Sequence, residues 1–102
     1  MIIELIGFII AASVGLGIIT IIILTLAEVL SWFTTRNDLY YSDEDHIAFT
    51  LQQKLQTGQY ETVQGIFNKR TTKMAEARKV KSDQYDEGLA ARHKKAELVV
   101  YE

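Results

Sequence analysis

From Leu5 to Ala27 the chain carries no charged residue, no proline, and no asparagine or glutamine. As a single helix rising about 1.5 Å per residue, this run would span roughly 34 Å, enough to cross a hydrocarbon core of about 30 Å. Isoleucine, leucine, valine and phenylalanine dominate it, each favouring insertion by about 0.3–0.6 kcal/mol. The run therefore predicts a transmembrane helix within residues 1–35, followed by a hinge over 36–42 and a small helical extramembrane module over 43–102. A cleaved signal peptide fits poorly: Glu4 precedes the run with no lysine or arginine, and no small-residue cleavage site follows. The nearest flanking positive charge is Arg36, on the C-terminal side, so the N-terminus is expected outside and the module in the cytoplasm.

Wound at 100° per residue, the run presents two strips. Gly7, Ala11 and Gly15 form a small-residue strip continuous with Glu4, and small residues at such spacing let another helix approach closely. Ser13, Gly17 and Thr20 lie on the other side with Glu28 and Ser31. Both strips are candidate helix-packing surfaces. Glu28 is the carboxylate that could lie inside the membrane boundary, an intramembrane or interfacial group with Trp32 and Phe33 as interface aromatics one turn on.

Beyond the run, Ser42-Asp43-Glu44-Asp45 reads as a capped helix start with acidic residues in the first turn. Ile47, Leu51 and Leu55 recur every fourth residue, Gly58 breaks the pattern, and Tyr60, Val63 and Phe67 resume it, so a short helical hairpin is expected. The residues from Gly58 to Lys69 resemble the turn and second helix of a tetratricopeptide-type repeat. No full 34-residue period follows, so the resemblance implies only a helix-turn-helix suited to protein contact. From Asn68 to Glu97, alanine, glutamate, lysine, arginine and glutamine predict a long C-terminal helix. The expected fold class is thus all-α.

Lys69, Arg70, Lys73, Arg78, Lys79 and Lys81 form a basic block that could meet lipid headgroups at about 1 kcal/mol per residue. Nucleic acid is a weaker partner for it, because no aromatic residues interleave. Val99, Val100 and Tyr101 close the chain with β-branched and aromatic character suited to a partner's sheet edge. These join Ile47, Leu51, Leu55, Tyr60, Val63 and Phe67 as partner-contact candidates.

Cysteine is absent and His46 and His93 stand far apart, so no metal ligand set is expected. No GxSxG, GxxxxGK or HExxH motif is present, and neither a cofactor nor catalysis is expected. The net charge of −2 favours no partner by itself. The functional expectation is a non-enzymatic, single-pass accessory subunit of a membrane assembly. It would touch lipids, other membrane subunits or copies of itself, and a soluble protein on the C-terminal side. Alternatives are a self-assembling, holin-like pore with Glu28 toward the lumen, or a virion membrane protein tying lipid to a shell.

Overall fold

The computed structural model describes residues 2–101. Helix α1 (Ile2–Ala12) is followed by strand β1 (Ile18–Leu24) and helices α2 (Leu26–Thr34) and α3 (Asn37–Tyr41). Strands β2 (His46–Lys54), β3 (Tyr60–Asn68) and β4 (Lys73–Tyr85), helix α4 (Glu87–Arg92) and strand β5 (Leu98–Tyr101) complete the chain. The five strands form one sheet in the order β1-β4-β3-β2-β5, with β1 parallel to β4 and the other pairs antiparallel. The fold is mixed α/β, which corrects the all-α expectation.

The apolar run is not one helix. Gly15 takes φ +91° just after α1, a backbone conformation that stops a helix and that L side chains rarely adopt. Every residue from Ile18 to Ile23 is β-branched, and such side chains lose rotamer freedom in a helix but pack well on a pleated strand. Helix α1 has 11 residues, about 16 Å of rise, and among the described residues no helix is long and apolar enough to cross a membrane. The single-pass reading, its outside-to-cytoplasm orientation and its membrane localisation lose their support with that helix. So do the accessory membrane subunit, the pore and the virion membrane protein.

The helical hairpin is a β-hairpin. A four-residue recurrence is also twice the two-residue period of a strand, and Phe49 between Ile47 and Leu51 decides for the strand. All three are buried on one sheet face with Val63 and Phe67, and Ile9 of α1 covers them. Gly58, at φ +89°, sits in the turn between β2 and β3, where Gly58 N–H donates to the Leu55 carbonyl at 3.0 Å. Here Tyr60–Asn68 is strand, so the tetratricopeptide-like segment is not a second helix.

The long C-terminal helix is likewise replaced, by β4, α4 and β5. Lysine, glutamate and alanine favour a helix in isolation, yet β4 is held in the ladder by β3 on one side and β1 on the other. A register shift at Ile66/Phe67 marks a bulge. Beside it, a Cβ on Gly65 would lie 2.7 Å from the Glu76 carbonyl oxygen, so only glycine fits.

On the opposite face, α2 and α4 pack Val29 and Leu89 against Leu24, Ala48, Val80 and Tyr101. Thr25 caps α2 by accepting the Glu28 N–H at 3.1 Å. Asp86 caps α4 through the Leu89 N–H at 2.9 Å, and the same oxygen accepts the Leu26 N–H at 3.0 Å, fixing the starts of the two helices together. The acidic segment does not open a helix. Asp43 instead accepts the Asp45 N–H at 2.9 Å and Asn68 Nδ2–H at 3.0 Å, and both aspartates pair with Arg70 across the β3–β4 turn.

Candidate functional site

Two features of the fold stand out as candidate sites. One is the outer edge of β1. Among the described residues this strand pairs only with β4, so its other side offers unpaired backbone groups. Ile18, Ile19 and Ile22 are 53%, 50% and 70% exposed, with Phe8 and Val14 of the neighbouring segment at 47% and 79%. No charge, proline or bulge interrupts the strand. Edge strands are usually blunted by such devices, and an uncovered apolar edge is a template for another strand.

The second feature is a cavity of about 300 Å³ between α2, α3 and the sheet. Phe33, Ala48, Ile66 and Tyr101 supply apolar surface and Tyr40 a further ring, while Asn37 brings an amide to the lining. The Phe33 and Tyr101 rings are 5.2 Å apart and tilted by 44°. Tyr101 is held by its hydroxyl, 2.7 Å from Thr50 Oγ1, which is itself 2.8 Å from His93 Nε2. His93 Nδ1 is 3.0 Å from the Ala96 carbonyl, which can only accept, so Nδ1 carries the proton. In the neutral ring Nε2 then accepts from Thr50, and Thr50 accepts from Tyr101. Burial pushes the His93 pKa below its ordinary value, in keeping with that neutral state. Burial also raises the Tyr101 pKa, and that of Tyr85 to about 12, where the Thr62 hydroxyl partly opposes the rise.

An open hollow of about 430 Å³ lies at the far side of α2. There the Arg36 guanidinium stacks 3.8 Å from the Trp32 ring centroid, and its Nε donates to Glu76 at 2.6 Å. Arg78 Nε donates to Gln64 Oε1 at 2.8 Å. The hollow carries two carboxylates, Glu28 in its lining and Glu76 on Arg36, against two guanidiniums.

The residues singled out in the sequence scatter. Gly7, Ala11, Gly15, Gly17 and Thr20 are exposed, and nothing stands within 4 Å of a Cβ built at Gly7, Gly15 or Gly17. Ser13 is buried and donates to the Ile10 carbonyl at 2.8 Å. Glu28 is exposed in the first turn of α2. Ile47, Leu51, Val63 and Phe67 are core, Leu55 sits at the hairpin turn, and Tyr60 stacks on Tyr85 at 4.6 Å. Val99, Val100 and Tyr101 form β5 on the chain's own sheet, against β2. The basic block divides. Lys69 and Arg70 lie in a turn, Lys73 begins β4, and Lys79 and Lys81 alternate with Arg78 on opposite faces of that strand.

In the sequence Tyr101 is a partner-contact candidate and Phe33 an interface aromatic, but nothing there joins them to Asn37, Ala48 and Ile66, which meet only once α2 and α3 pack on the sheet. The β-branched run Ile18–Ile23 was the available signal for β1. Compared with family models, with curated proteins and with solved structures, the chain gives no match.

Proposed function

We propose that this chain is a non-enzymatic assembly module that pairs with a second copy of itself through the open edge of β1. The observation that carries this reading is the uncharged, largely exposed strand at the sheet's rim. An antiparallel β1–β1 contact is isologous: the same residues meet on both copies, the sheets join into one, and both open edges close at once. Pairing β1 with the other rim strand, β5, would be head-to-tail and would leave an edge free for endless addition. Self-pairing also brings no like charges together, since Ile18–Leu24 contains none.

Light scattering coupled to size exclusion tests the reading. The expected mass is twice the 11.6 kDa of the chain. Ile19→Lys with Ile22→Lys places lysines at side chains that are already at least half exposed. The double variant is expected to keep its circular dichroism and run as a monomer. A wild-type chain that stays monomeric at the highest attainable concentration, or a double variant that still dimerises, overturns the proposal.

A further inference from the structure

We infer that the cavity between α2, α3 and the sheet is a binding site for a small, non-anionic ligand built around a planar aromatic ring system. Its volume of about 300 Å³ lies at the small end of the range for small-molecule sites, enough for one or two fused rings with a short substituent. This inference is independent of the β1 edge, since no residue of β1 lines the cavity.

The chemistry of the walls selects the ligand class. Phe33, Tyr40 and Tyr101 present ring faces and edges, and aromatic pairs gain from offset or edge-on contact beyond the area they bury. Tyr101 is a fixed wall, because its hydroxyl is spent on Thr50 and its ring rests on Phe33. Ala48 and Ile66 close the floor from β2 and β3, both fully or nearly fully buried. No lysine, arginine, histidine, aspartate or glutamate is among the lining residues. An anionic ligand would shed hydration without gaining a counter-charge and would face the negative ring faces, so the site discriminates against anions. Arg92, although 5.5 Å from the Tyr101 ring, does not line the cavity.

The same reasoning separates a small molecule from a peptide. A chain segment would carry backbone N–H and C=O groups into a floor of alkyl and aromatic carbon, where they would lack partners. Polar contacts are available from the Asn37 amide, which can donate or accept, and from the hydroxyls of Tyr40 and Tyr41. The Thr34 hydroxyl already donates to the Leu30 carbonyl at 2.9 Å. The ligand that fits is therefore mostly carbon, flat, without negative charge, and furnished with a hydrogen-bonding group to meet Asn37 or the tyrosine hydroxyls.

Indole serves as the neutral probe and benzoate as the charged one, titrated into the full chain and followed by amide chemical shifts. Saturable indole binding is expected, with the largest shifts at Ala48 and Ile66 and with benzoate at least tenfold weaker. Asn37→Leu, at an exposed rim position, should weaken indole roughly five- to tenfold, the worth of one net hydrogen bond. Thr34→Trp, also exposed, fills the mouth with a side chain of the probe's own kind and should abolish binding. Both substitutions sit outside the buried core, so folding is expected to survive and is checked by circular dichroism. Absence of saturable indole binding, equal binding of benzoate, or indole binding unchanged in both variants overturns the inference.

Discussion

Strands β1 and β3 invert the usual relation between hydropathy and burial. β1, seven residues with one threonine as its only polar member, lies at the rim with most side chains exposed. β3 contains Thr62, Gln64 and Asn68, all buried, with Gln64 and Thr62 at 0% exposure. Position in the sheet order, not apolarity, decides which is covered: β3 lies between β4 and β2, whereas β1 has one neighbour. What makes the arrangement tolerable differs on the two sides. The polar groups of β3 have partners: Gln64 donates to the Val29 carbonyl at 2.8 Å and accepts from Arg78, and Asn68 accepts the N–H groups of Arg70 and Thr71. Leu24 and Ile21 of β1 pack on the core, but Ile18, Ile19 and Ile22 stay at least half exposed, which is why a second copy is proposed there.

The strongest test of the interior side is Phe67→Ala. Phe67 is fully buried in β3 against the α1 face, and truncation should cost about 3–5 kcal/mol, read as a fall in the denaturant midpoint. Gln64→Leu comes next. It keeps the volume but leaves the Arg78 Nε–H without its acceptor and takes a second donor from the Val29 carbonyl, which keeps its helical partner in α2, so a loss of about 1–3 kcal/mol is expected. A variant as stable as wild type would show that burial in β3 is set by apolar packing alone.

That contrast explains what the sequence disclosed and what it hid. The spacing of Ile47, Leu51, Val63 and Phe67 placed each pair on one face, and each pair does share a face. The period itself is ambiguous, because four residues are about one helical turn and also two strand repeats. The turn at Gly58 was legible, while the elements joined by it were strands. For β1, hydropathy outweighed β-branching and suggested lipid. The polar composition of β4 hid a central strand, since its ladder partners come from distant parts of the chain. The cavity was illegible for the same reason: its walls come from α2, α3, β2, β3 and β5.

A smaller effect should come from pH. His93 sits buried in its neutral form, with its pKa held below the ordinary 6.5. The unfolded chain therefore binds a proton more readily than the folded one. Stability from this group is fully present above about pH 6.5 and declines as pH falls below that value toward the folded pKa. Chemical denaturation across this window should show the decline, and His93→Gln should flatten it. At the alkaline end Tyr85, raised to about 12, acts oppositely: its contribution holds below its ordinary value of 10.0 and is lost as pH rises from there toward 12. A stability profile with no acid slope attributable to His93 would mean that the Thr50–His93 contact does not require the neutral ring.

The smallest effect on the isolated chain should be Ile22→Thr, and it separates the two strands most sharply. Ile22 is 70% exposed, and threonine keeps the β-branched shape, so the change should cost less than about 0.5 kcal/mol in a dilute monomer. If β1 is covered by a second copy, that small cost does not persist. Association adds to stability by mass action, so the wild-type Tm should rise with protein concentration. Ile22→Thr removes apolar surface from the contact and should make that rise shallower. The two proteins would then melt together when dilute and diverge when concentrated. Differential scanning calorimetry over a concentration series reads this directly. Parallel curves, or a wild-type Tm independent of concentration, would mean that the apolar rim stays uncovered by a second copy and that β1 tolerates its exposure without a partner of its own kind.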